Sequence, residues 1–299
     1  MEAWYGVRDL TELRVDNQTV YFKTAEEMTE LGEGSVTLTV TSPPYWDLKN
    51  YGCAGQIGQE PYQDYLARLD RVWQECYRVS HQRAVLAVVV GNRRRKKAFY
   101  PLAFDIAGSI TGWVLVDILI WYIPNALPQS KWYVDRAHDS KFEFILVFAK
   151  DYSYSYTFNK VRIPQKYREK DLRDEKRDAR GRGIGNVLRI PAYRPPTIKR
   201  LNYHAAAFPE ELPYYLIHSY SHPGDLVLDP FAGSGTTLKV ARNLGRPGVG
   251  YEINGDFAQV MRGRIAEPWQ GPPFEVLDVI SAYDPDPDQR VGRVPRVTE

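Results

Sequence analysis

Leu226-Val227-Leu228-Asp229-Pro230-Phe231-Ala232-Gly233-Ser234-Gly235-Thr236-Thr237 is an apolar strand running into a glycine-rich turn that opens a helix. Two glycines one residue apart let the backbone turn sharply and approach a ligand closely, because neither carries a Cβ. Ligands of open α/β sheets bind beyond the carboxyl ends of the strands, where Asp229, Phe231, Ala232, Gly233, Ser234, Gly235 and Thr236 must fall. About twenty residues on, Glu252 ends the next apolar stretch, where a carboxylate can accept both hydroxyls of a ribose. A glycine turn alone is a common structural device. With a strand before it, a helix after it and the acidic residue in place, it points to a nucleoside-containing ligand. No P-loop lysine follows the second glycine, which argues against ATP or GTP.

Far upstream stands Thr41-Ser42-Pro43-Pro44-Tyr45-Trp46, at the end of an alternating strand, 35–41. The two prolines fix an extended turn with no N–H to donate, leaving carbonyl oxygens and the Ser42 hydroxyl as acceptors for a planar NH2 group. Tyr45 and Trp46 offer flat surfaces on which a planar ring could stack. The plain structural reading of such a stretch is a Pro-Pro turn with aromatics capping a core.

The rest of the chain alternates strand and helix signals. Strands are expected at 19–23, 35–41, 84–90, 113–122, 142–148, 226–229 and 248–251, and helices at 61–79, 100–111, 209–220 and 234–243. The uninterrupted apolar run at 84–90 predicts a strand buried on both faces. This rhythm implies an α/β fold with a mostly parallel twisted sheet and helices on both faces. Four regions follow: 1–150 with the Ser-Pro-Pro-Tyr motif, a basic segment at 151–203, a second α/β part at 204–267 with the glycine turn, and a Pro- and Asp-rich extension at 268–299.

The two motifs in this order resemble the S-adenosylmethionine-dependent DNA amino-methyltransferases, in the β-ordered, circularly permuted branch with a Rossmann-like methyltransferase fold. Further similarity lies in Asn125-Ala126-Leu127-Pro128, in Phe142-Glu143-Phe144-Ile145-Leu146-Val147-Phe148, and in His204-Ala205-Ala206-Ala207-Phe208-Pro209-Glu210-Glu211-Leu212. The resemblance implies methyl transfer from S-adenosylmethionine to N4 of cytosine or N6 of adenine. It makes Ser42, Pro43, Pro44 and Tyr45 the catalytic motif and the glycine turn and Glu252 the cofactor site, and it implies that Phe208 closes over the methionine end. Serine before Pro-Pro-Tyr favours cytosine N4, with adenine N6 as the alternative. One departure stands out: where the family often carries Gly-Asp-Ala near the cofactor adenine, this chain has Lys23-Thr24-Ala25. An RNA methyltransferase and a DNA-binding protein that has lost catalysis are the other readings. Ring-carbon methylation would need a nucleophilic cysteine, typically after proline, and Cys53 and Cys76 follow Gly52 and Glu75.

Charge supports a polyanionic partner. The 299-residue chain carries a net +2, yet residues 160–200 hold 14 Lys/Arg against 5 Asp/Glu, a local excess of +9. A solvated linker would look the same; the position between the two motifs favours a target-recognition segment on DNA, with Arg173, Lys176, Arg177, Arg180 and Arg182 touching it. Arg93-Arg94-Arg95-Lys96-Lys97 follows the buried strand and should lie on the same sheet edge as the motifs, as a phosphate clamp or a solvated turn. Trp46 joins these as a DNA-binding residue beside a flipped base. A homodimer and a cognate restriction endonuclease are the further partners the resemblance suggests. No metal is implied, two cysteines build no zinc site, and neither a membrane-spanning run nor a leader pattern is visible, so a cytoplasmic setting is expected.

Overall fold

Residues 84–90 are apolar without interruption because they lie in the middle of a two-faced core. Leu86, Val88 and Val90 pack into one layer, and Val85, Ala87 and Val89 into the other. The computed structural model describes residues 11–272 apart from 49, 51, 130, 152, 154, 164–181, 193–207 and 270. Thirteen strands are present among them: β1 (Glu12–Val15), β2 (Gln18–Tyr21), β3 (Val36–Thr41), β4 (Ser80–Val90), β5 (Arg93–Arg95), β6 (Ala98–Tyr100), β7 (Val114–Tyr122), β8 (Phe142–Ala149), β9 (Arg162–Ile163), β10 (Arg182–Gly183), β11 (Val187–Arg189), β12 (Val227–Asp229) and β13 (Gly248–Tyr251). Five α-helices accompany them: α1 (Tyr62–Val79), α2 (Leu102–Ser109), α3 (Glu211–Tyr220), α4 (Thr236–Asn243) and α5 (Ala258–Ala266).

Nine strands form one sheet in the order β1-β2-β13-β12-β3-β4-β8-β7-β11. From β2 to β4 neighbouring strands run parallel; β8 lies antiparallel between β4 and β7, and β1 closes the other edge antiparallel to β2. The sheet is mostly parallel, with helices against both faces. Helix α1 buries Tyr65, Leu69, Val72, Trp73, Cys76 and Val79 at helical spacing and packs with α2 on the layer containing Leu86 and Val88. Helices α3 and α4 cover the opposite layer, where Leu212, Leu216, Val240 and Ala241 meet Leu38, Val40 and Val227.

The strand order places the two sequence motifs side by side. β12 pairs in parallel with β3, Val227 opposite Leu38 and Leu228 opposite Thr39. The chain leaves β3 towards β4 on one side and β12 towards β13 on the other, so the order reverses between them. Such a switch point opens a crevice at the carboxyl ends of the two strands.

Three elements go beyond the sequence pattern. Residues 93–100 form the hairpin β5–β6, in which Arg95 opposes Ala98 and Lys96 and Lys97 make the turn. Both lysines have positive φ, +46° and +71°. A two-residue hairpin turn demands that geometry, and Asn-Gly is its usual sequence signal. Helix α5 is hard to see in sequence because Arg264 interrupts its buried positions, Ala258, Val260, Met261 and Ile265. Within 151–203, β11 joins the main sheet in parallel to β7, Val187 opposite Ile120, so this part of the basic segment is an edge of the sheet.

Candidate active site

The glycine turn is held open by its own backbone. Gly233 and Gly235 have φ of +54° and +82°, and Gly235 caps α4 in the left-handed region. A Cβ on Gly235 would lie 2.9 Å from Ile265 Cγ1, so helix packing enforces glycine there as well. The next strand is equally cut back: a Cβ on Gly250 would stand 2.8 Å from Ala232 Cβ.

Glu252, just past β13, ties strand and turn together. One carboxylate oxygen accepts the Gly233 N–H at 2.9 Å and the other the Asn254 N–H at 2.8 Å. Burial pushes its carboxyl up to about 7, against the pull of these N–H groups and with help from the charge of Asp229. Asp229 itself is buried and points inward. It accepts from the Thr41 hydroxyl at 2.7 Å and from the Phe231 N–H at 3.1 Å. Desolvation lifts it to about 6, opposed by the donors Thr237, Thr41 and Phe231 N.

A single cavity joins the two motifs. Ser42 and Pro44 line it together with Phe231, Gly233, Ser234 and Glu252, so what binds against the glycine turn reaches the Ser-Pro-Pro-Tyr motif. Asp229, Ala232, Gly235 and Thr236 are not in its lining. They shape the turn from behind the cavity wall. Phe208 is buried with Leu212 and Tyr215 in the layer under α3, also outside the cavity lining. The residues preceding it, 204–207, lie outside the described residues.

Lining residues that the sequence reading did not single out are Gly55, Gln56 and Ile57 from a loop, Tyr251 at the end of β13, and Ile253 and Phe257 just beyond Glu252. Lys23, Thr24 and Ala25 do reach the cavity, but without an aspartate. Lys23 Nζ pairs with Glu30 at 3.0 Å, and Glu30 also accepts from the Tyr251 hydroxyl at 3.1 Å. The Glu30 carboxylate behind this wall is therefore engaged with protein groups.

At the other motif, Pro43 is buried and the half-buried Tyr45 donates its hydroxyl to Glu143 Oε2 at 2.7 Å. Trp46 is a correction. Only 6% exposed, it donates its indole N–H to Glu60 O at 2.8 Å and packs against Tyr62 and Tyr100, with ring centroids 4.9 and 4.7 Å away. No face is left for a base. The basic hairpin divides similarly. Arg93 donates to the carbonyls of Trp46 and Asp47, and Arg95 pairs with the Asp47 carboxylate while covering the Trp46 ring at 4.7 Å. These two arginines brace the end of the motif and do not reach outward as a clamp. Arg94 lies 4.9 Å over the Phe99 ring, and Lys96 and Lys97 are exposed at the tip. Arg173, Lys176, Arg177 and Arg180 lie outside the described residues, as does the side chain of Arg182.

The chain matches the DNA methylase family of N6 and N4 enzymes over residues 36–262. It is 31% identical over 284 residues to the type II methyltransferase M.XycI of Xanthomonas campestris pv. cyanopsidis, covering 84% of this chain and 87% of that protein. A putative DNA modification methylase from Thermus thermophilus, solved in complex with S-adenosyl-L-methionine, aligns with a TM-score of 0.58 at 31% identity over 83% of this chain and 92% of the other. The cytosine-N4-specific PvuII DNA methyltransferase aligns with a TM-score of 0.66 at 21% identity over 84% and 87%, a likeness of fold. The protein belongs to the N6/N4 DNA methylase family, with a Rossmann-like fold and S-adenosylmethionine as its cofactor.

The cavity fits that cofactor. Its wall combines the Glu252 carboxylate, an acceptor of the kind ribose hydroxyls need, with apolar surface from Ile57, Phe231, Ile253 and Phe257 that suits a purine, and Ser42 and Pro44 border the same space. Among the described residues no cluster of His, Cys, Asp or Glu could hold a metal, and no helix is long and apolar enough to cross a membrane.

Proposed function

We propose that this protein methylates the exocyclic N4 of cytosine in DNA, within a restriction-modification or epigenetic system, with adenine N6 as the alternative target. The observation that carries the reading is Ser42 in the wall it shares with the glycine turn and Glu252. A neutral hydroxyl stands where the enzymes that modify adenine more often carry aspartate. The order of the motifs along the chain supports the β-class permutation.

S-adenosylmethionine supplies a methyl group already activated on a sulfonium sulfur, which keeps the bonding pair when the methyl leaves. The protein's part is alignment and charge accommodation. An aromatic exocyclic amine is conjugated with its ring and is a poor nucleophile. Ser42 Oγ and the carbonyls of the Pro43–Pro44 turn accept from its N–H groups and draw the nitrogen towards tetrahedral geometry, freeing its lone pair. Inside a duplex the base cannot reach the cavity, so it must be flipped out, with Tyr45 as its stacking surface. Lys96 and Lys97 at the hairpin tip and the basic segment with Arg173, Lys176, Arg177, Arg180 and Arg182 meet the phosphates. A second copy of the chain and a companion endonuclease are the protein partners in this reading.

Incubation with plasmid DNA and labelled cofactor, followed by nucleoside mass spectrometry, tests it. N4-methylcytosine is the expected product. N6-methyladenine would move the assignment to the alternative, and label in RNA alone would overturn it.

A further inference from the structure

Methylation of an exocyclic amine leaves a surplus proton on nitrogen, and Ser42 alone is too weak a base to hold it. The side chains behind Ser42 provide an exit. Ser42 lies on the cavity wall three residues before Tyr45 in the same turn and favours ionisation of the Tyr45 hydroxyl, which donates to Glu143 Oε2 at 2.7 Å. Glu143 sits in β8, antiparallel to β4 on one side and opposite Trp121 of β7 on the other. The chain just past β4 is cut back to glycine where the pair meets: a Cβ on Gly91 would lie 3.3 Å from Glu143 Cγ, from Glu143 Oε1 and from Tyr45 Cε2. Glu143 is half-buried at the start of β8, and among the described residues no cation pairs with it. A partly desolvated carboxylate without a cation is costly, which makes its place against the amine-holding motif informative.

We propose that Ser42, Tyr45 and Glu143 form a relay that removes the proton released by amine methylation, with Glu143 as its end. The proposal rests on the amine-methylation reading above. The amine that has gained a methyl carries four bonds and a positive charge. One N–H bond then breaks and its electron pair returns to nitrogen. The proton binds Ser42 Oγ as the Ser42 proton moves to Tyr45 Oη and the Tyr45 proton to Glu143 Oε2. Both hydroxyls are restored, the amine is neutral, and Glu143 is a neutral acid that later loses its proton to water.

Electrostatics agree with that direction of flow. Burial raises the Glu143 carboxyl above its ordinary range, and the Tyr45 hydroxyl partly offsets this by favouring the carboxylate. Burial and the Glu143 charge hold Tyr45 far above the ordinary range for a phenol, while Ser42 and the Gly91 backbone act the other way. Tyr45, from the loop after β3, is the titratable group that faces Glu143; Gly91 after β4 and Trp121 of β7 carry no charge.

Glu143→Gln keeps size and hydrogen bonding but cannot take a proton, and Tyr45→Phe cuts the relay in the middle. Two measurements on the full-length protein decide. In infrared titration of the cofactor-free protein, beside the raised bands of Asp229 and Glu252, a further protonated-carboxyl band with a midpoint above the usual glutamate range should be lost in Glu143→Gln and shift still higher in Tyr45→Phe. Single-turnover methylation of a duplex oligonucleotide should accelerate with pH through that same midpoint and then level off. Both variants should be at least tenfold slower on the plateau and flat across that window. Should Glu143→Gln fail to fold by circular dichroism, Tyr45→Phe carries both arms. A slowed Glu143→Gln that keeps the parental pH profile would show a merely structural bond and overturn the relay, as would a band titrating in the ordinary range. If the parent transfers no methyl to any DNA amine, the amine-methylation reading itself fails and takes the relay with it.

Discussion

The Thr41 hydroxyl donates to Asp229 Oδ1 at 2.7 Å, joining the last residue of β3 to the last residue of β12 across 188 positions of sequence. Thr41 is the residue before Ser42, and Asp229 opens the glycine turn. One buried hydrogen bond therefore sets the Ser-Pro-Pro-Tyr motif against the glycine turn.

Replacing Thr41 by valine keeps the volume and removes the donor. The cost should be about 1–3 kcal/mol, the scale of a buried acceptor losing its partner. Its pH dependence has a definite sign. Asp229 is raised from 3.8 to about 6, so the folded protein holds this proton more tightly than the unfolded chain does. Its contribution to stability therefore falls as pH rises from about 4 to about 6 and is level above. Thr41→Val should extend that fall to higher pH, and Asp229→Asn should abolish it. Urea titrations between pH 4 and pH 8 read both effects.

Glu252→Ala should weaken S-adenosylmethionine binding by about 1.5–3 kcal/mol, the worth of hydrogen bonds to a charged group. Because burial raises Glu252 to about 7, it is largely protonated in mild acid and a full acceptor only above neutrality. Cofactor affinity should tighten as pH rises through about 7, and Glu252→Gln should be weaker and flat across that range. Calorimetry tests this; collapse of DNA binding with cofactor affinity unchanged would sink the assignment.

Ser42→Ala should leave cofactor affinity near the parental value and depress turnover, because the missing acceptor matters most when the amine rehybridises. Parental turnover in the variant would show that Ser42 has no part in holding the amine.

Gly250→Ala places a methyl group 2.8 Å from Ala232 Cβ and 2.9 Å from Leu238 Cδ1, on the buried strand β13. Overpacking of this kind costs about 1–3 kcal/mol. Relief by moving Ala232 would displace the glycine turn, so cofactor affinity should fall together with the denaturation midpoint. An unchanged affinity would mean that the turn and β13 are not mechanically coupled.

What the sequence made legible was chemistry written in short stretches. Gly233 and Glu252 could be placed because a strand, a turn, a helix and the next strand follow one another in order, and 84–90 because continuous apolarity has one physical meaning in a parallel sheet. What it hid depended on distant partners. Trp46 looks the same whether it stacks on a base or is enclosed, and the enclosure is built by Tyr62 and Tyr100 from other elements. Arg93 and Arg95 read as phosphate ligands until the backbone of Trp46 and the carboxylate of Asp47 are seen to occupy them. Glu143 alternates within its strand like a solvent-facing residue, and only the pairing of β8 with β4 brings it to Tyr45. The Lys96-Lys97 turn has no Asn-Gly to announce it, so in sequence the hairpin reads as a bare basic run.

That division of the hairpin gives a prediction in which neighbouring cations behave differently. Lys96→Ala with Lys97→Ala should weaken DNA binding and lower the log–log salt slope by about 0.9 for each phosphate no longer neutralised. Arg95→Ala should leave the slope unchanged and instead reduce stability and turnover, because it frees Asp47 and uncovers Trp46. Neutralising Arg173, Lys176, Arg177, Arg180 and Arg182 together should also flatten the slope while cofactor affinity stays constant, since Gly233 and Glu252 belong to other parts of the chain. A linker would show the parental slope after the same five substitutions. If the set of methylated sites changes as well as the affinity, the segment reads bases in addition to phosphates. If the slope responds to the hairpin lysines alone, the hairpin tip meets the phosphates and the basic segment does not.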